Sequence, residues 1–385
     1  MCAELPQPAR WLVFGEPDKG RQPPLISSHR GALTLAPENT LAAYRYALAY
    51  EVALIEVDVR QTADRRFVAF HDSDVAGKSD GEGTIESMSF EQARALNVAA
   101  YEPWIGGAYD PSQMASLEEV LELALESGHG IEFDMKFMLD SQPTADLPGF
   151  ASIVNQYPDV LRRSIINLPP PVAQLAQALI PEGRFIYNLL IEEPAPLLYG
   201  LTKLARVFGS DLDKFSPQKI VAIHDGCGLA MPHAYDQGRD NEGGEILRAI
   251  EMGADGVQTN QPALARALLV GAVATRWIVE DQGRRLCLVN AGNGYGLPQK
   301  AVTLETRAGR RTAETGVGGC VELADDAVRQ AHFAGDDSAA PATATFGDGP
   351  VAGGQGGGGA IGAGWLLIGV LCAGRRLRFG IARRL

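Results

Sequence analysis

The sequence predicts a (β/α)8 barrel of the TIM type, followed by a small β-rich module and a short hydrophobic tail. Three observations predict the barrel. Short apolar runs alternate with amphipathic segments over residues 25–272, a pattern typical of a parallel sheet with helical crossovers. The apolar runs number close to eight, and such a barrel needs roughly 250 residues. Titratable residues follow several of the runs, at the end of the strands where a barrel carries its active site.

Each predicted element rests on the spacing of its apolar residues. The predicted strands are 25–30, 53–60, 66–72, 130–137, 163–168, 184–190, 219–226 and 255–260, and the predicted helices are 37–50, 116–128, 171–180 and 244–253. The first helix opens at Pro37, whose fixed φ suits a first helical turn, and its apolar residues stand three and four apart. The second strand alternates, so Glu56 and Asp58 face one side while Val57 and Val59 face the other. The later elements repeat these two periods.

The sequence pattern changes after residue 272. Residues 273–324 hold short β runs broken by Gly, Asn and Arg turns, which predicts a small β-rich module. Residues 325–359 lose periodicity and are rich in Ala and Gly, which predicts a flexible linker. An N-terminal extension over 1–24 precedes the barrel.

Residues 360–385 combine an apolar run with a cluster of arginines. The run is shorter than the ~20 residues that span a bilayer comfortably, but flanking arginines can snorkel and leave the bulk of the chain outside. This tail resembles the GlyGly-CTERM sorting signal, which a rhomboid-type protease removes from exported proteins, and a plain C-terminal membrane anchor is the alternative. Both imply a protein at the cell surface, in the periplasm or secreted, although no N-terminal signal is visible.

The net charge limits the possible partners of the protein, and the cysteine content bears on its compartment. The formal net charge of −13 argues against nucleic acid, whose affinity depends on neutralising phosphates with Lys and Arg. A small anionic substrate stays compatible, because a local basic pair in a pocket does not show in net charge. Cys287 and Cys320 flank one β-rich segment and can pair if the protein is exported, whereas two buried thiols are the alternative.

Titratable pairs end five of the predicted strands. They are His29 and Arg30, Glu56 and Asp58, His71 and Asp72, Asp134 and Lys136, and His224 and Asp225. Glu56 and Asp58 would project into the barrel mouth as like charges, which is costly unless a cation neutralises them. Asp134 can supply a third oxygen ligand, and three carboxylates suit Mg²⁺ or Ca²⁺. The alternative is a solvent-facing pair on an edge strand.

Two histidines are placed to bracket a phosphodiester. Of His29 and His71, one can protonate the leaving alkoxide while the other takes a proton from the attacking water or hydroxyl. Arg30 can hold the phosphoryl oxygens through its planar fork, and Lys136 adds a point charge. Either histidine alone is more simply interpreted as structural, so catalysis follows from their combination with the acids.

Residues 29–72 resemble the opening of the glycerophosphodiester phosphodiesterase family. The pattern HRG, PENT, E-x-D, a T-x-D turn and HD is present in the family's order. Residues 253–262, GADGVQTNQP, resemble the last strand of the same barrel, where the family usually has Asp at the position of Asn260. The resemblance covers roughly residues 25–270. It implies a metal-dependent enzyme that hydrolyses glycerophosphodiesters to sn-glycerol 3-phosphate and an alcohol.

The resemblance also implies roles for individual residues. Its catalytic histidines are His29 and His71, its phosphate-binding arginine is Arg30, and its first metal ligands are Glu56 and Asp58. The family's third ligand comes from an E-x-K strand, whereas residues 131–136 read IEFDMK, so aligning Lys136 puts Asp134 in the ligand position. Glu38 and Glu132 are candidate accessory residues. His224 has no counterpart in the family's motifs; it is a candidate for lining the substrate pocket, and a capping role is the alternative.

Two alternative functions remain open at this stage. An aspartate before the lysine also resembles the sphingomyelinase D-like phospholipases, so phospholipase D-like activity on intact lipids is one alternative. An exposed apolar rim at the barrel mouth would favour it. The other alternative is a catalytically silent surface binding module, because fold does not imply function. The presence of all four of His29, His71, Glu56 and Asp58 argues against a catalytically silent module.

Overall fold

The structure is a computed structural model in which a defined part of the chain is described. The described residues are 24–136, 146–168, 170–183, 185–188, 197, 201, 205, 207–235, 242–281, 284–306, 309–323 and 328–346. The predicted tail at 360–385 and nearly all of the predicted N-terminal extension lie outside them. Among the described residues, no helix has the length and apolar character needed to cross a membrane.

A closed parallel barrel confirms the predicted fold class. The strands of this sheet are β1 (Leu25–Ser28), β2 (Leu54–Gln61), β3 (Phe67–Ala69), β4 (Gly130–Asp134), β5 (Ile165–Asn167), β6 (Phe185–Asn188), β7 (Val207–Asp211), β8 (Leu229–His233) and β9 (Gly256–Thr259). Neighbours run in the order β1-β9-β8-β7-β6-β5-β4-β2, all parallel, and β1 also pairs with β2. The short β3 is antiparallel to β2 and pairs with its C-terminal residues, Val59 to Gln61. It lies outside the eight barrel strands.

Helices cover the outside of the barrel. They are α1 (Leu41–Ala49), α2 (Phe90–Arg94), α3 (Leu117–Ser127), α4 (Leu147–Val154), α5 (Pro158–Leu161), α6 (Pro170–Leu179), α7 (Pro217–Asp225), α8 (Glu242–Glu251) and α9 (Pro262–Leu269). In β2 the predicted alternation is confirmed, because Ile55, Val57 and Val59 join the buried core shared with the helices. The opposite face of β2, which carries the acids, therefore points into the barrel.

Two predicted elements were wrong in position or type. The first helix begins at Leu41, because Asn39 is left-handed at φ 57° and the Thr40 side chain caps the helix by accepting from the Ala43 N–H. Residues 219–226 belong to helix α7, since the Ser216 side chain accepts from the Lys219 N–H and opens a helix there. Strands β7 and β8, which the prediction lacked, complete the barrel in its place.

The residues after the barrel form a β module. Its strands are β10 (Thr275–Glu280), β11 (Arg285–Asn290), β12 (Ala301–Thr306), β13 (Gly309–Glu314), β14 (Cys320–Glu322), β15 (Val328–Phe333) and β16 (Ala342–Thr345). They make an antiparallel three-stranded sheet, β10-β11-β14, and an antiparallel four-stranded sheet, β13-β12-β15-β16. The predicted flexible linker was therefore wrong over 328–346, because Ala331 and Phe333 are buried in the module core and tie this stretch to β12.

The module is joined to the barrel by polar contacts as well as by apolar packing. The side-chain amides of Asn290 and Asn293 donate to the carbonyls of Ala49 (2.9 Å) and Leu48 (2.8 Å). These carbonyls belong to the last turn of α1, where backbone acceptors lack helical partners. Within the module, Cys287 and Cys320 form a disulfide, which decides between the two interpretations of these cysteines.

Candidate active site

A tight turn after β1 aims the first two functional side chains at the barrel mouth. The Arg30 and Gly31 residues of this turn are both left-handed, at φ 52° and 79°. A Cβ on Gly31 would lie 2.7 Å from the Ala43 carbonyl carbon, so only glycine lets α1 approach this closely. The His29 N–H donates to the Thr259 carbonyl at 2.8 Å, and the Arg30 N–H donates to Glu56 Oε2 at 2.6 Å. The turn is thereby tied to both neighbouring strands.

Three carboxylates meet inside the mouth. The parallel register of β2 and β4 places Asp58 level with Asp134 and Glu56 level with Glu132. Oxygens of Glu56, Asp58 and Asp134 all lie within 4.8 Å of one another. Glu56 and Asp58 are each 1% exposed. The structure thus brings together the three acids that the sequence singled out as candidate ligands.

Two cations and one amide face this cluster. Lys136 Nζ lies 2.6 Å from Asp134 Oδ2 and 3.2 Å from Asp58 Oδ1, and Arg30 Nε lies 3.2 Å from Asp58 Oδ2. Asn39 donates its Nδ2–H to Asp58 Oδ2 at 2.7 Å. Asn39 is itself held, because its Oδ1 accepts from the Tyr44 hydroxyl and the Asp58 N–H. The PENT segment thus positions the central acid.

The pKa values of the acids move in opposite directions. Burial, with the charges of Asp58 and Asp134, raises the pKa of Glu56 well above its usual range. Burial also raises the pKa of Asp134. For Asp58, burial would raise the pKa, but Lys136 and Arg30 outweigh it and hold the value below the usual range. Burial and like charges thus favour the protonated forms of Glu56 and Asp134, while the two cations keep Asp58 ionised.

This arrangement fits a hard divalent cation. The donor set is three carboxylates, the ligand type that Mg²⁺ and Ca²⁺ prefer. Asp58 Oδ1 is buried and makes no hydrogen bond to any residue that the structure describes. The Lys136 ammonium lies 3.2 Å from this oxygen as an ion-pair partner but does not hydrogen-bond to it, so a divalent cation beside it would stabilise it further and favour ionised Glu56 and Asp134.

His71 follows β3 on the other side of the cluster. Its Nδ1 lies 2.7 Å from Asp72 Oδ1, a contact that holds the ring in one orientation. The His71 carbonyl accepts from Arg60 Nε at 2.8 Å, and Arg60 in turn pairs with Glu86 at 2.8 Å. Both His29 and His71 act electrostatically on the Asp58 carboxylate, so the two rings flank the same acid.

An ion-pair chain crosses the rim between the two histidines. Glu38 Oε1 accepts from Arg30 Nη1 at 3.0 Å and from Lys78 Nζ at 2.6 Å. Lys78 Nζ also lies 3.6 Å from Asp72 Oδ2. Glu38, predicted as an accessory residue, is in the mouth. Lys78 was missed, because it lies in a polar loop with no periodic signal.

His29 is enclosed by residues that the sequence did not single out. Its Nδ1 lies 2.7 Å from Asn260 Oδ1, beyond the end of β9. The Tyr235 ring stacks on the imidazole, with centroids 4.3 Å apart and planes 5° apart. Tyr235 also lies beside His233, with ring centroids 5.3 Å apart. His233, which was not among the predicted site residues, lies at the end of β8 in the mouth.

Two predicted accessory residues are not brought to the cluster. Glu132 lies one layer deeper in the barrel, where it accepts from the Ser27 hydroxyl at 2.5 Å. His224 ends helix α7 and its Nε2 lies 2.8 Å from Asp255 Oδ2. Asp255 precedes β9, so this pair lies at the N-terminal end of the strands, away from the mouth. The placement of His224 at the active site was wrong, because it depended on a strand that is a helix.

The burial of His29 predicts how stability depends on pH. Burial, with the positive charge of Arg30, lowers the pKa of His29 from 6.5 to about 3. The unfolded chain therefore binds one more proton than the folded chain between these values, and the free energy of unfolding falls as pH drops through them. In the His29→Asn variant, we expect a slope between pH 6 and pH 4 that is shallower by about 1.4 kcal/mol per pH unit. Urea unfolding at stepped pH measures this slope, and equal slopes in both proteins would contradict it.

Comparison with known proteins gives the same family throughout. Residues 29–163 match the model of the glycerophosphoryl diester phosphodiesterase family. Glycerophosphodiester phosphodiesterase 1 of Mus musculus is 32% identical over 152 residues, which are 39% of this chain and 44% of that protein. Glycerophosphodiester phosphodiesterase 1 of Bos taurus is 38% identical over 109 residues, which are 28% of this chain and 33% of that protein. The matched stretches thus span less than half the length of these curated relatives.

Solved structures share the barrel. A glycerophosphodiester phosphodiesterase from Agrobacterium tumefaciens superposes with a TM-score of 0.53 at 24% identity, covering 63% of this chain and 99% of that one. An Oleispira antarctica phosphodiesterase in complex with the product sn-glycerol-3-phosphate superposes with a TM-score of 0.55 at 22% identity, covering 64% of this chain and 96% of that one. These likenesses establish the TIM-barrel fold.

Proposed function

We propose that this chain is a metal-dependent phosphodiesterase of the glycerophosphoryl diester phosphodiesterase family, which hydrolyses glycerophosphodiesters to sn-glycerol 3-phosphate and an alcohol. One observation carries the proposal. Three carboxylates, of which Glu56 and Asp58 are buried, lie within 4.8 Å of one another in a barrel mouth, and His29 and His71 lie near enough for their charges to act on Asp58. Four of these five residues, together with Arg30, fall in the stretch from 29 to 72 whose motifs the family shares, and that stretch lies within the match over 29–163. The product named for the Oleispira antarctica structure agrees with this reaction.

The cation of the proposal is Mg²⁺ or Ca²⁺. Glu56, Asp58 and Asp134 would hold it, and Lys136 would stay beside Asp134. When bound, it would supply electrostatic polarisation of the phosphoryl group and help activate the attacking oxygen. Asp is one methylene shorter than the glutamate of the family's usual strand. The Asp134 carboxylate still lies within 4.8 Å of the other two acids, which supports its place in the ligand set.

The protein's own residues would carry the proton transfers. Because Asn260 Oδ1 can only accept, His29 Nδ1 carries the hydrogen and Nε2 is free to take a proton from the attacking oxygen. A new P–O bond then forms as the P–O bond to the alcohol breaks. His71, which Asp72 holds at Nδ1, would give a proton from its other nitrogen to the leaving alcohol oxygen. Arg30 and Lys136 offset the negative charge that builds on the phosphoryl oxygens.

The product distinguishes this reaction from the alternatives. We expect the full-length chain to release glycerol 3-phosphate from glycerophosphocholine with Mg²⁺ or Ca²⁺, and to release none in EDTA. Lysophosphatidylcholine and sphingomyelin are incubated in parallel, and products are identified by mass spectrometry. A phosphate-bearing lipid product without glycerol 3-phosphate would instead establish phospholipase D-like activity. No product from any substrate would favour the silent binding module.

Export is also part of the proposal. The Cys287–Cys320 disulfide supports it, because disulfides form and persist in oxidising compartments. In the native host, we expect fractionation to find the protein outside the cytoplasm with these two thiols resistant to alkylation until they are reduced. A cytoplasmic protein whose two cysteines react at once with an alkylating reagent would contradict this part.

A further inference from the structure

A buried carboxylate outside the metal cluster holds the loop that contacts His29. Glu242 is the first residue of α8 and is 6% exposed. Its Oε1 accepts from the Asn260 N–H at 2.7 Å and the Gln261 N–H at 3.2 Å, and also from the Thr259 hydroxyl. Its Oε2 accepts from Gln261 Nε2 at 3.2 Å. One side chain thus fixes three consecutive residues at the end of β9.

The middle one of these residues sets the state of the His29 ring. Asn260 Oδ1 lies 2.7 Å from His29 Nδ1. The residue before Asn260 adds a second link to this loop, since the His29 N–H donates to the carbonyl of Thr259 at 2.8 Å. A neutral imidazole carries one hydrogen on one of two nitrogens, and the hydrogen bond to one nitrogen decides which. An amide oxygen at Nδ1 selects the form with hydrogen on Nδ1 and a lone pair on Nε2.

Stacking fixes the plane of the same ring. Tyr235 lies parallel to the His29 imidazole at 4.3 Å. The stack prevents tilting but leaves the ring free to turn over about the Cβ–Cγ bond, which would put Cδ2 in the place of Nδ1 and Cε1 in the place of Nε2. The hydrogen bond from Nδ1 removes this freedom, so tautomer and orientation are set together by Asn260.

We propose that Glu242 is a positioning residue that acts through Asn260 to hold His29 with hydrogen on Nδ1 and Nε2 facing the substrate. This inference rests on the proposed function of His29 as the general base. It assigns a role in catalysis to a residue that is far from His29 along the chain and lies outside the cluster of carboxylates. Without Glu242, the donors at 259–261 lose their common acceptor, and the Asn260 side chain loses its fixed position.

Long-range ¹H–¹⁵N spectra of the ¹⁵N-histidine-labelled full-length protein test the proposal. The His29 signal is identified by its loss in His29→Asn. In the wild type we expect a protonated Nδ1 and an unprotonated Nε2. In Glu242→Ala and Asn260→Ala we expect a mixture of the two tautomers. Asn260→Asp, unlike Asn260→Ala, keeps an acceptor at His29 Nδ1 and should show the wild-type pattern. Glu251→Ala, at an exposed position of α8, should leave the pattern unchanged.

Kinetics on glycerophosphocholine provide the second measurement. Outer-shell partners of functional histidines typically contribute 10–100-fold, so we expect kcat to fall by about that factor in Glu242→Ala while KM changes little. Glu242→Gln should recover part of the loss, because its amide oxygen can accept from the same three donors. Thermal unfolding of each variant separates this effect from a loss of folding, and Asn260→Ala carries the test if Glu242→Ala does not fold.

The spectra give a result whether or not the protein hydrolyses the substrate. A single Nδ1-protonated tautomer in both alanine variants, or an Nε2-protonated ring in the wild type, would overturn the positioning role. Absence of hydrolysis alongside the expected tautomer shift would instead overturn the proposed function and leave the positioning role intact.

Discussion

The Asp58→Asn variant is expected to lose glycerophosphodiester hydrolysis by about 1,000-fold or more, because a bound cation stabilises the transition state by several kcal/mol and each 1.4 kcal/mol is tenfold in rate. Asp58 lies at the centre of the site, between two cations and an amide. It lies 3.2 Å from both Lys136 Nζ and Arg30 Nε and accepts from Asn39 at 2.7 Å. An asparagine would remove the charge that holds the cation and turn an NH₂ group toward one of these donors.

The matched control for this variant is Asp159→Asn. Asp159 lies on the surface at α5, where its side chain is 59% exposed, and the same substitution there should leave the rate within about twofold, because exposed ion pairs contribute little. Initial rates at saturating substrate and stepped Mg²⁺ measure both variants. An Asp58→Asn protein that kept the wild-type rate and its sensitivity to EDTA would show that Asp58 does not hold the cation.

The His29→Ala variant should lose kcat by about 100- to 10,000-fold, the range that a positioned general acid or base contributes. The pKa of His29 is lowered to about 3 by burial and by Arg30, so its ring is neutral and able to accept a proton at pH 7. The loss should therefore be in kcat rather than in KM. Stopped-time measurement of glycerol 3-phosphate release at several substrate concentrations separates these two parameters.

His224→Ala provides the control for the histidine substitution. Its ring pairs with Asp255 at the opposite end of the barrel, so the rate should stay within about twofold of the wild type. A large loss in His224→Ala with little loss in His29→Ala would place the chemistry at the wrong end of the barrel. Equal rates in all three proteins would remove the general base from the proposed mechanism.

The elements near the metal cluster could be predicted because their signals are local. The alternation of β2 placed Glu56 and Asp58 on one face, and Asp134 falls at the end of a neighbouring predicted strand. These inferences need only the period of one strand and the rule that parallel strands end at the same side of a barrel. The family resemblance, which aligns Lys136, then singled out Asp134 rather than Glu132 as the third candidate ligand.

Helix α7 and strand β8 were mispredicted for identifiable reasons. The apolar run in residues 219–226 is too short for periodicity to separate strand from helix. Ser216 and Pro217 were the available signals of a helix start, since they are the preferred residue types for the cap and first turn. In β8, Pro232 lowers the strand signal because proline cannot donate to a ladder, and the strand that carries His233 was overlooked.

The contacts around His29 could not be predicted from the sequence. Asn260 is 231 residues away along the chain, and it meets His29 only because β1 pairs with β9 when the barrel closes. Glu242 lies at the start of α8, where an acidic residue is common and carries no signal of its own. Such pairs depend on the closure of the whole fold, which local patterns do not encode.

The most direct test of the central claim is the Mg²⁺ dependence of glycerol 3-phosphate release by the full-length protein, measured after EDTA treatment and removal of the chelator. The account predicts no release from the metal-free wild type, saturable recovery as Mg²⁺ is added back, and no recovery in Asp58→Asn at the same concentrations. Release at the full rate from the metal-free protein, or equal recovery in the wild type and in Asp58→Asn, would contradict it.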